Sequence, residues 1–579
     1  MPNSGTSEFL AARNYLLHVP NYQDAKAHFK WPQLDNFNWA LDYFDSLSGR
    51  CSNSALLYVD DKGTVKKLSF QEMTEKSNKI ANFLRVQGLK KGDRVLLMMA
   101  NRPELFQLIL GTMKRGCVII PASTLLTSED IRDRIGRGKV KCIFTDAELS
   151  SRIDGAIHSS AVKGIRKVSL GGSAVGWIDF AQVDDHSATF KSDQTFAPDD
   201  ELLIYFTSGT TAKPKLVLHT HGSYPVGHLT TMYWIGARPG NLHYNVSQPG
   251  WAKYAWSSIF GAWNAEATTF VYNYSGRFNP AQVLKTIQDH EVNTLCAPPT
   301  VWRHLLLEDI KAYRFSLKQL VSAGEPLNPE IIQKVKAATR LTIREGFGQT
   351  ETTIQVGFFP GMEPKPGSMG VEAPGFEIGL LDDDHVPVPP GSDGNMAVRV
   401  KPQRPVGLMA GYIDPAEKNK EVFVGDWYLT GDLARRDADG FFWFIGRADD
   451  VFKSSDYRIS TFEVESELLA HPAITEVAVI ASPDTLRGSV PKAVIMLKPG
   501  VKPSKELAYQ IFKFARETMA PYKRPRIIEF VDELPKTASG KIKRFDLRKL
   551  EPSLRTNKGR GEDEYFESDF QAALKTKTK

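Results

Sequence analysis

The residues best suited to chemistry lie in the run Tyr205-Phe206-Thr207-Ser208-Gly209-Thr210-Thr211-Ala212-Lys213-Pro214-Lys215. An apolar strand over Leu202 to Phe206 leads straight into a loop of hydroxyls, one glycine and two lysines. Ser208, Thr210 and Thr211 offer hydroxyl donors to phosphate oxygens, and Gly209 lets the backbone approach a ligand closely. Lys213 and Lys215 add compact positive charge, and Pro214 stiffens the exit. The spacing is not that of the G-x-x-x-x-G-K-[ST] phosphate loop. Taken alone, the composition also fits a polar turn.

Four further strings bear reactive or polar groups: Ser322-Ala323-Gly324-Glu325-Pro326, Glu345-Gly346-Phe347-Gly348-Gln349-Thr350-Glu351, Tyr428-Leu429-Thr430-Gly431-Asp432 with Gly446-Arg447, and Pro535-Lys536-Thr537-Ala538-Ser539-Gly540-Lys541. A glycine between small residues admits a flat base. A carboxylate accepts two hydroxyl bonds at once, and a guanidinium matches a phosphate edge. Each string alone has a plainer reading, as a strand-to-helix turn, a Gly-x-Gly turn with an exposed acid, a turn between strands, or a solvated lysine in a basic run. In this order, however, the five resemble the signature of the adenylate-forming (AMP-binding) enzymes. That superfamily holds acyl-CoA synthetases, peptide-synthetase adenylation domains and firefly-type luciferases, and this chain looks most like the medium-chain acyl-CoA synthetases. The resemblance spans about residues 35 to 550.

The resemblance implies a role for each string. Thr207, Ser208, Gly209, Thr210, Thr211 and Lys215 would hold the phosphates of ATP. Gly324, Glu325 and Pro326 would form the adenine side, joined by Glu345, Gly346, Phe347, Gly348 and Gln349. Thr350 would meet the α-phosphate. Glu351, with Thr207, would hold Mg²⁺, a hard cation that prefers carboxylate oxygen. Asp432 would accept both ribose hydroxyls, with Arg447 at a phosphate or ribose oxygen. Lys541 would bridge the acyl carboxylate and the α-phosphate as pyrophosphate leaves. Asp449 matches the family hinge, about which a small domain turns to offer first Lys541 and then a thiol tunnel. Ser455, Asp456, Tyr457, Arg487, Tyr522, Lys523 and Arg524 would meet coenzyme A.

Three departures from the family pattern carry information. Ala212 replaces a glycine of T-S-G-T-T-G-x-P-K. Asp456 stands where Ser-Gly-Tyr-Arg has the glycine that leaves room for pantetheine. Gly348 stands where acetate-specific relatives carry tryptophan, so the acyl pocket is expected to take something larger than acetate. Trp251, in Gly250-Trp251-Ala252-Lys253, is the expected wall, while most rings between Tyr224 and Tyr274 are expected in the core.

The elements that must position these residues are legible as alternating strands and helices. A strand at Arg94 to Met99, a helix at Pro103 to Lys114 and a strand at Cys117 to Ile120 form a βαβ unit. A second set reads as helix 283–290, strand 294–297, helix 301–310 and strand 319–323. The fold class is therefore α/β, with a large N-terminal lobe of parallel sheets plus a β subdomain from Gly367 to Trp443, and a small mobile α+β C-terminal domain. Expected boundaries are 1–448, 449–551 and a flexible tail at 552–579, where charged residues lack an apolar period.

At 579 residues the chain exceeds a single hydrophobic core. Net charge is +6, modest for this length, and no nucleic-acid motif accompanies the basic run Lys513 to Lys549. No apolar run reaches the ~18 residues of a membrane span. Four scattered cysteines read as free thiols in a reducing compartment. Without a secretion signal or a Ser-Lys-Leu ending, the cytoplasm is the expected location; oligomers stay open. The reading implies an acid-thiol ligase that uses ATP, Mg²⁺ and coenzyme A. An alternative is a stand-alone adenylating enzyme loading another acceptor. An amino-acid adenylation domain needs an acid in the acyl pocket, and Gly250 to Ser257 holds none. A luciferase-type oxygenase or a basic scaffold has no positive feature in its favour.

Overall fold

The computed structural model describes residues 4–158, 163–207, 213–455, 457–536, 542–556, 559–570 and 573–574. The chain divides into two units: Met1–Ile378 with Val398–Tyr428 and Gly440–Phe442, and Gly379–Ala397 with Leu429–Asp439 and Trp443–Lys579.

Two large sheets build the first unit. One has nine strands, six of them parallel neighbours: Ile343–Gly348, Gln319–Ala323, Thr294–Cys296, Leu242–Asn245, Thr268–Asn273 and Ser54–Asp60. Antiparallel strands close both sides. The other has eight strands, with a parallel core of Glu201–Thr207, Val118–Ala122, Arg94–Met98, Val140–Asp146, Arg166–Leu170 and Ile178–Asp179. Lys215–Thr220 and Gly411–Asp414 add to its edge in antiparallel fashion. Near-continuous apolar strands are what parallel sheets covered on both faces require. Leu96, Met98, Ile120, Ile143 and Ile204 bury fully in one core, and Leu295, Leu320, Ile343, Val283 and Ile287 in the other.

Local chemistry fixes the helices. Pro103–Arg115 starts with proline in its first turn, carries Lys114 and Arg115 in its last, and stops at Gly116 with φ 75°. Ser69 and Glu72 form a reciprocal capping box at the head of Phe70–Val86. The helix expected over 301–310 is shorter, Pro299–Leu305, and a separate turn at Ile310–Ala312 follows, capped by the Asp309 side chain. The first helix, Ser4–His18, belongs to the core: Phe9 is fully buried, and Arg13 reaches Glu266 at 3.0 Å.

A five-stranded sheet uses Ile378–Leu381, Asp393–Arg399, Phe423–Val424, Trp427–Arg436 and Phe442–Arg447. The second unit also holds a hairpin, Phe452–Ser454 with Tyr457–Ile459, and a four-stranded sheet of Ile474–Asp484, Gly488–Leu497, Ile527–Val531 and Glu564–Phe566. Helices Thr461–Leu468 and Lys505–Thr518 supply Val464, Leu468, Leu507, Ile511 and Phe512 to its core. The terminal stretch, which lacks an apolar period, still contributes the edge strand Glu564–Phe566 and buries Phe570 and Leu574. No helix among the described residues is long and apolar enough to cross a membrane.

Candidate functional site

Strand Glu201–Thr207 turns back into Lys215–Thr220 with Thr207 opposite Lys215, so the hydroxyl-rich loop bridges a hairpin. Ser208, Gly209, Thr210 and Thr211 lie outside the described residues. Thr207 stands at the loop's entrance, and its Oγ1 is buried without a hydrogen-bond partner among the described residues. Such a hydroxyl is costly unless a ligand or ion meets it. Lys215, at the exit, points its Nζ to within 3.6 Å of Glu351 Oε1 and donates to the Tyr412 hydroxyl at 3.0 Å. Tyr412 in turn donates to Glu351 Oε1 at 2.7 Å, and the Lys215 ammonium lies 4.5 Å from the centre of its ring. These contacts hold a buried carboxylate in a fixed direction beside the loop, a donor set that suits Mg²⁺ bridging phosphates. Register makes the cluster: Gly411–Asp414 pairs with Lys215–Thr220, placing Tyr412 opposite Val217.

Thr350 precedes Glu351, and its carbonyl lies 2.7 Å from His219 Nε2. A carbonyl only accepts, so Nε2 carries the proton, and Ser223 Oγ, at 3.4 Å, faces the unprotonated Nδ1. Burial pushes His219 down to about 4, so the ring is neutral near pH 7. His219, outside the five strings, thus braces the Thr350-Glu351 backbone. Gln349 is tied by its N–H to Thr352 Oγ1 and by its side-chain carbonyl to the Tyr428 hydroxyl.

The Gly324-Glu325-Pro326 loop leaves strand Gln319–Ala323 with Gly324 at φ 106°, a conformation glycine tolerates. Glu325 accepts from Thr300 at 3.0 Å and pairs with Arg303 at 3.5 Å. Glu345 lies one strand over and accepts the Leu327 N–H at 3.2 Å. Burial pushes its carboxyl up to about 8. Glu345 therefore ties down the end of the Gly324 loop as a neutral acid.

Gly346 and Gly348 each face a tryptophan. A Cβ at Gly346 would sit 2.5 Å from the Trp234 ring, and one at Gly348 would sit 2.6 Å from Trp256 and 2.3 Å from Thr353 O. The room left by glycine at position 348 is thus occupied by the edge of Trp256, one of the rings between Tyr224 and Tyr274. Trp234, Trp256 and Trp263 are buried core rings, whereas Trp251 is half-buried at the start of helix Ala252–Ala255. Phe347 is also half-buried.

In the second unit, Asp432 is buried and Arg447 Nη1 reaches it at 3.1 Å. Gly431, at φ 74°, leaves the space beside that guanidinium clear: a Cβ there would sit 3.2 Å from Arg447 Nη2. Arg447 also lies 3.7 Å from Asp449. Ser455 donates its N–H to Arg487 O, and Tyr457 stacks on Tyr522 with ring centres 4.6 Å apart. Lys523 pairs with Glu463 and Glu467, and Arg524 donates to Met519 O and Arg516 O. Arg526 pairs with Glu567 and Arg544 with Glu465, so the basic run is extensively matched by carboxylates. Asp456 and Lys541 lie outside the described residues.

Comparison with known proteins accords with this chemistry. Residues 45–413 match the family model "AMP-binding enzyme", and residues 463–541 match "AMP-binding enzyme C-terminal domain". A 4-hydroxybutyrate–CoA ligase of Metallosphaera sedula is 44% identical over 92% of this chain and 94% of its own length. The mitochondrial acyl-coenzyme A synthetase ACSM3 of Mus musculus is 40% identical over 92% and 93%. The crystal structure of an anthranilate CoA ligase, AuaEII, in complex with anthranoyl-AMP superposes with TM-score 0.82 at 30% identity, covering 90% of this chain and 99% of that one. The chain belongs to the AMP-binding enzyme family.

Proposed function

We propose that the protein is an acid-thiol ligase that joins a carboxylic acid to coenzyme A at the expense of ATP. The supporting observation is the buried Glu351–Tyr412–Lys215 cluster beside the hydroxyl loop, in a chain that matches CoA ligases over nine-tenths of its length. A substrate carboxylate oxygen attacks the α-phosphorus, the bond to the β-bridging oxygen breaks, and pyrophosphate leaves with the electron pair. The thiolate sulfur of coenzyme A then attacks the acyl carbon, and AMP departs as the carbon–oxygen bond breaks. Glu351 and Thr207 would hold Mg²⁺, which neutralises phosphate charge when bound. Lys215 and the residues from Ser208 to Thr211 bind phosphate, Thr350 meets the α-phosphate, and the Gly324-to-Pro326 and Glu345-to-Gln349 segments bound the adenine. Asp432 takes the ribose, with Arg447 beside it.

Lys541 supplies the ammonium for the first step, and Asp449 is the hinge about which residues 449–551 turn between steps, with residues 1–448 as the stationary lobe; strand Glu564–Phe566, paired with Ile527–Val531, turns with them. Ser455, Asp456, Tyr457, Arg487, Tyr522, Lys523 and Arg524 receive coenzyme A. Gly348 and Trp251 bound the acyl pocket, with Trp256 closing the room beside Gly348; the similarity to ligases of 4-hydroxybutyrate and anthranilate, rather than that room, supports acids larger than acetate: medium-chain, branched, hydroxylated or aryl. Four free cysteines support a reducing, cytoplasmic location.

Three measurements test the reading. Lys541→Ala loses adenylate formation far more than thioester formation from supplied acyl-adenylate, and equal losses would contradict its role. Thioester formation across acids from acetate to dodecanoate, with 4-hydroxybutyrate and benzoate, identifies the acyl class. Trp256→Ala moves the optimum to a longer or wider acid, and an unchanged profile removes Trp256 from the pocket.

A further inference from the structure

The helix Arg544–Thr556 begins three residues after Lys541. Its first residue, Arg544, and Arg548 one turn later lie on one helix face. Arg548 Nη1 donates to the backbone carbonyl of Asp449 at 2.7 Å and to Asp450 Oδ1 at 2.5 Å. Arg544 approaches Asp450 Oδ2 at 3.6 Å and grips Glu465 with two bonds of 3.0 and 2.6 Å. Glu465 also accepts the Val479 N–H of the central sheet at 2.7 Å. The Asp450 side chain is only 12% exposed, so this is a desolvated contact of the kind that holds a fixed geometry.

Asp449 is gripped from opposite sides. Its carbonyl belongs to Arg548, while its carboxylate lies 3.7 Å from Arg447 Nε, and Arg447 is anchored on Asp432. The carbonyl and all atoms after it move together when the Asp449 φ and ψ angles change. Binding that carbonyl and the next carboxylate ties the Asp449-Asp450 segment to the helix Arg544–Thr556.

We infer that Arg544 and Arg548 are positioning residues that lock the hinge dipeptide to the helix following the lysine loop, so that hinge rotation and Lys541 move as one body. The inference rests on the proposed roles of Asp449 and Lys541. Neither arginine touches substrate in this scheme; both act through the hinge.

The test uses the full-length protein in the complete ligase reaction. Arg548→Ala lowers kcat at least tenfold with KM for ATP within twofold, and Arg548→Lys recovers most of the loss. Asp450→Asn, nearly isosteric, tests the same contact if Arg548→Ala folds poorly, and the double variant is no slower than the worse single one. Losses within twofold, effects that multiply in the double variant, or losses that follow the fraction of folded protein overturn the clamp. A parent enzyme that forms no acyl-adenylate with any acid overturns instead the functional reading beneath it.

Discussion

Around strands Lys215–Thr220 and Ile343–Gly348, three buried ionisable side chains, His219, His228 and Glu345, are kept neutral; around strand Gly488–Leu497 the buried groups are kept charged. In the first region burial lowers His219 to about 4, lowers His228 well below its ordinary value, and raises Glu345 to about 8. Their partners are backbone groups and hydroxyls: Thr350 O, Thr231 Oγ1 and Leu327 N–H. In the second region Lys492, 1% exposed, meets Glu529, Glu551 and Glu564 at 2.6–2.7 Å. Burial alone would lower its ammonium, but hydrogen bonds to the three carboxylates hold it above its ordinary value. Arg555 completes the group through Glu551 and Glu564. In the first region the neutral groups thus add no charge to the Lys215–Glu351 pair, whereas in the second a paired network joins elements distant in sequence.

The contrast can be broken at its strongest point first. Lys492→Met strands three carboxylates and is expected to cost about 3–5 kcal/mol in urea unfolding, the usual penalty for removing one partner of a buried ion set. Loss of less than about 1 kcal/mol would mean that water reaches the network. Next, Glu351→Gln keeps shape but removes charge. Pyrophosphate exchange should fall by roughly 10²–10³-fold, the scale of losing one preorganised electrostatic contact, and excess Mg²⁺ should not restore it. Full rescue by Mg²⁺ would show that Glu351 only tunes metal affinity.

Glu345→Gln sharpens the neutral side of the comparison. The native carboxyl keeps its proton up to about pH 8, while the unfolded chain releases it near the ordinary 4.5. Between these values the native state binds more protons, so stability from this group is full below pH 4.5 and falls as pH rises through 8, by up to about 1.4 kcal/mol per unit. The glutamine variant should lose that slope in urea titrations at pH 5 to 8 and be more stable than the parent at pH 8. His219 has the opposite dependence: its lowered value makes stability fall as pH drops from 6.5 toward 4.

Much of the fold was legible because parallel strands announce themselves as apolar runs between capped helices. Arg94–Met98, Pro103–Arg115 and Gln319–Ala323 lie where periodicity puts them. The error at 301–310 came from Leu305 to Leu307, apolar residues that continue the pattern while the chain turns to let Asp309 cap a new element. The site was legible wherever a local string carried it. Tyr412 was not, since only the pairing of Gly411–Asp414 with Lys215–Thr220 brings it to Glu351. The contacts of Trp256 with Gly348 and of His219 with Thr350 were hidden for the same reason: neither pair has a local pattern, and the partners are more than ninety residues apart. Strand Glu564–Phe566 escaped notice because an edge strand of three residues has too few alternations to read.

That short strand bears on how the small unit should be cloned. The matched C-terminal pattern stops at residue 541, yet Glu564 supplies a carboxylate to Lys492, and Phe570 and Leu574 plug the hydrophobic interior. A truncation placed at the end of the recognisable motif would discard a counter-ion and two stoppers, so an expression fragment of this unit should run through Leu574.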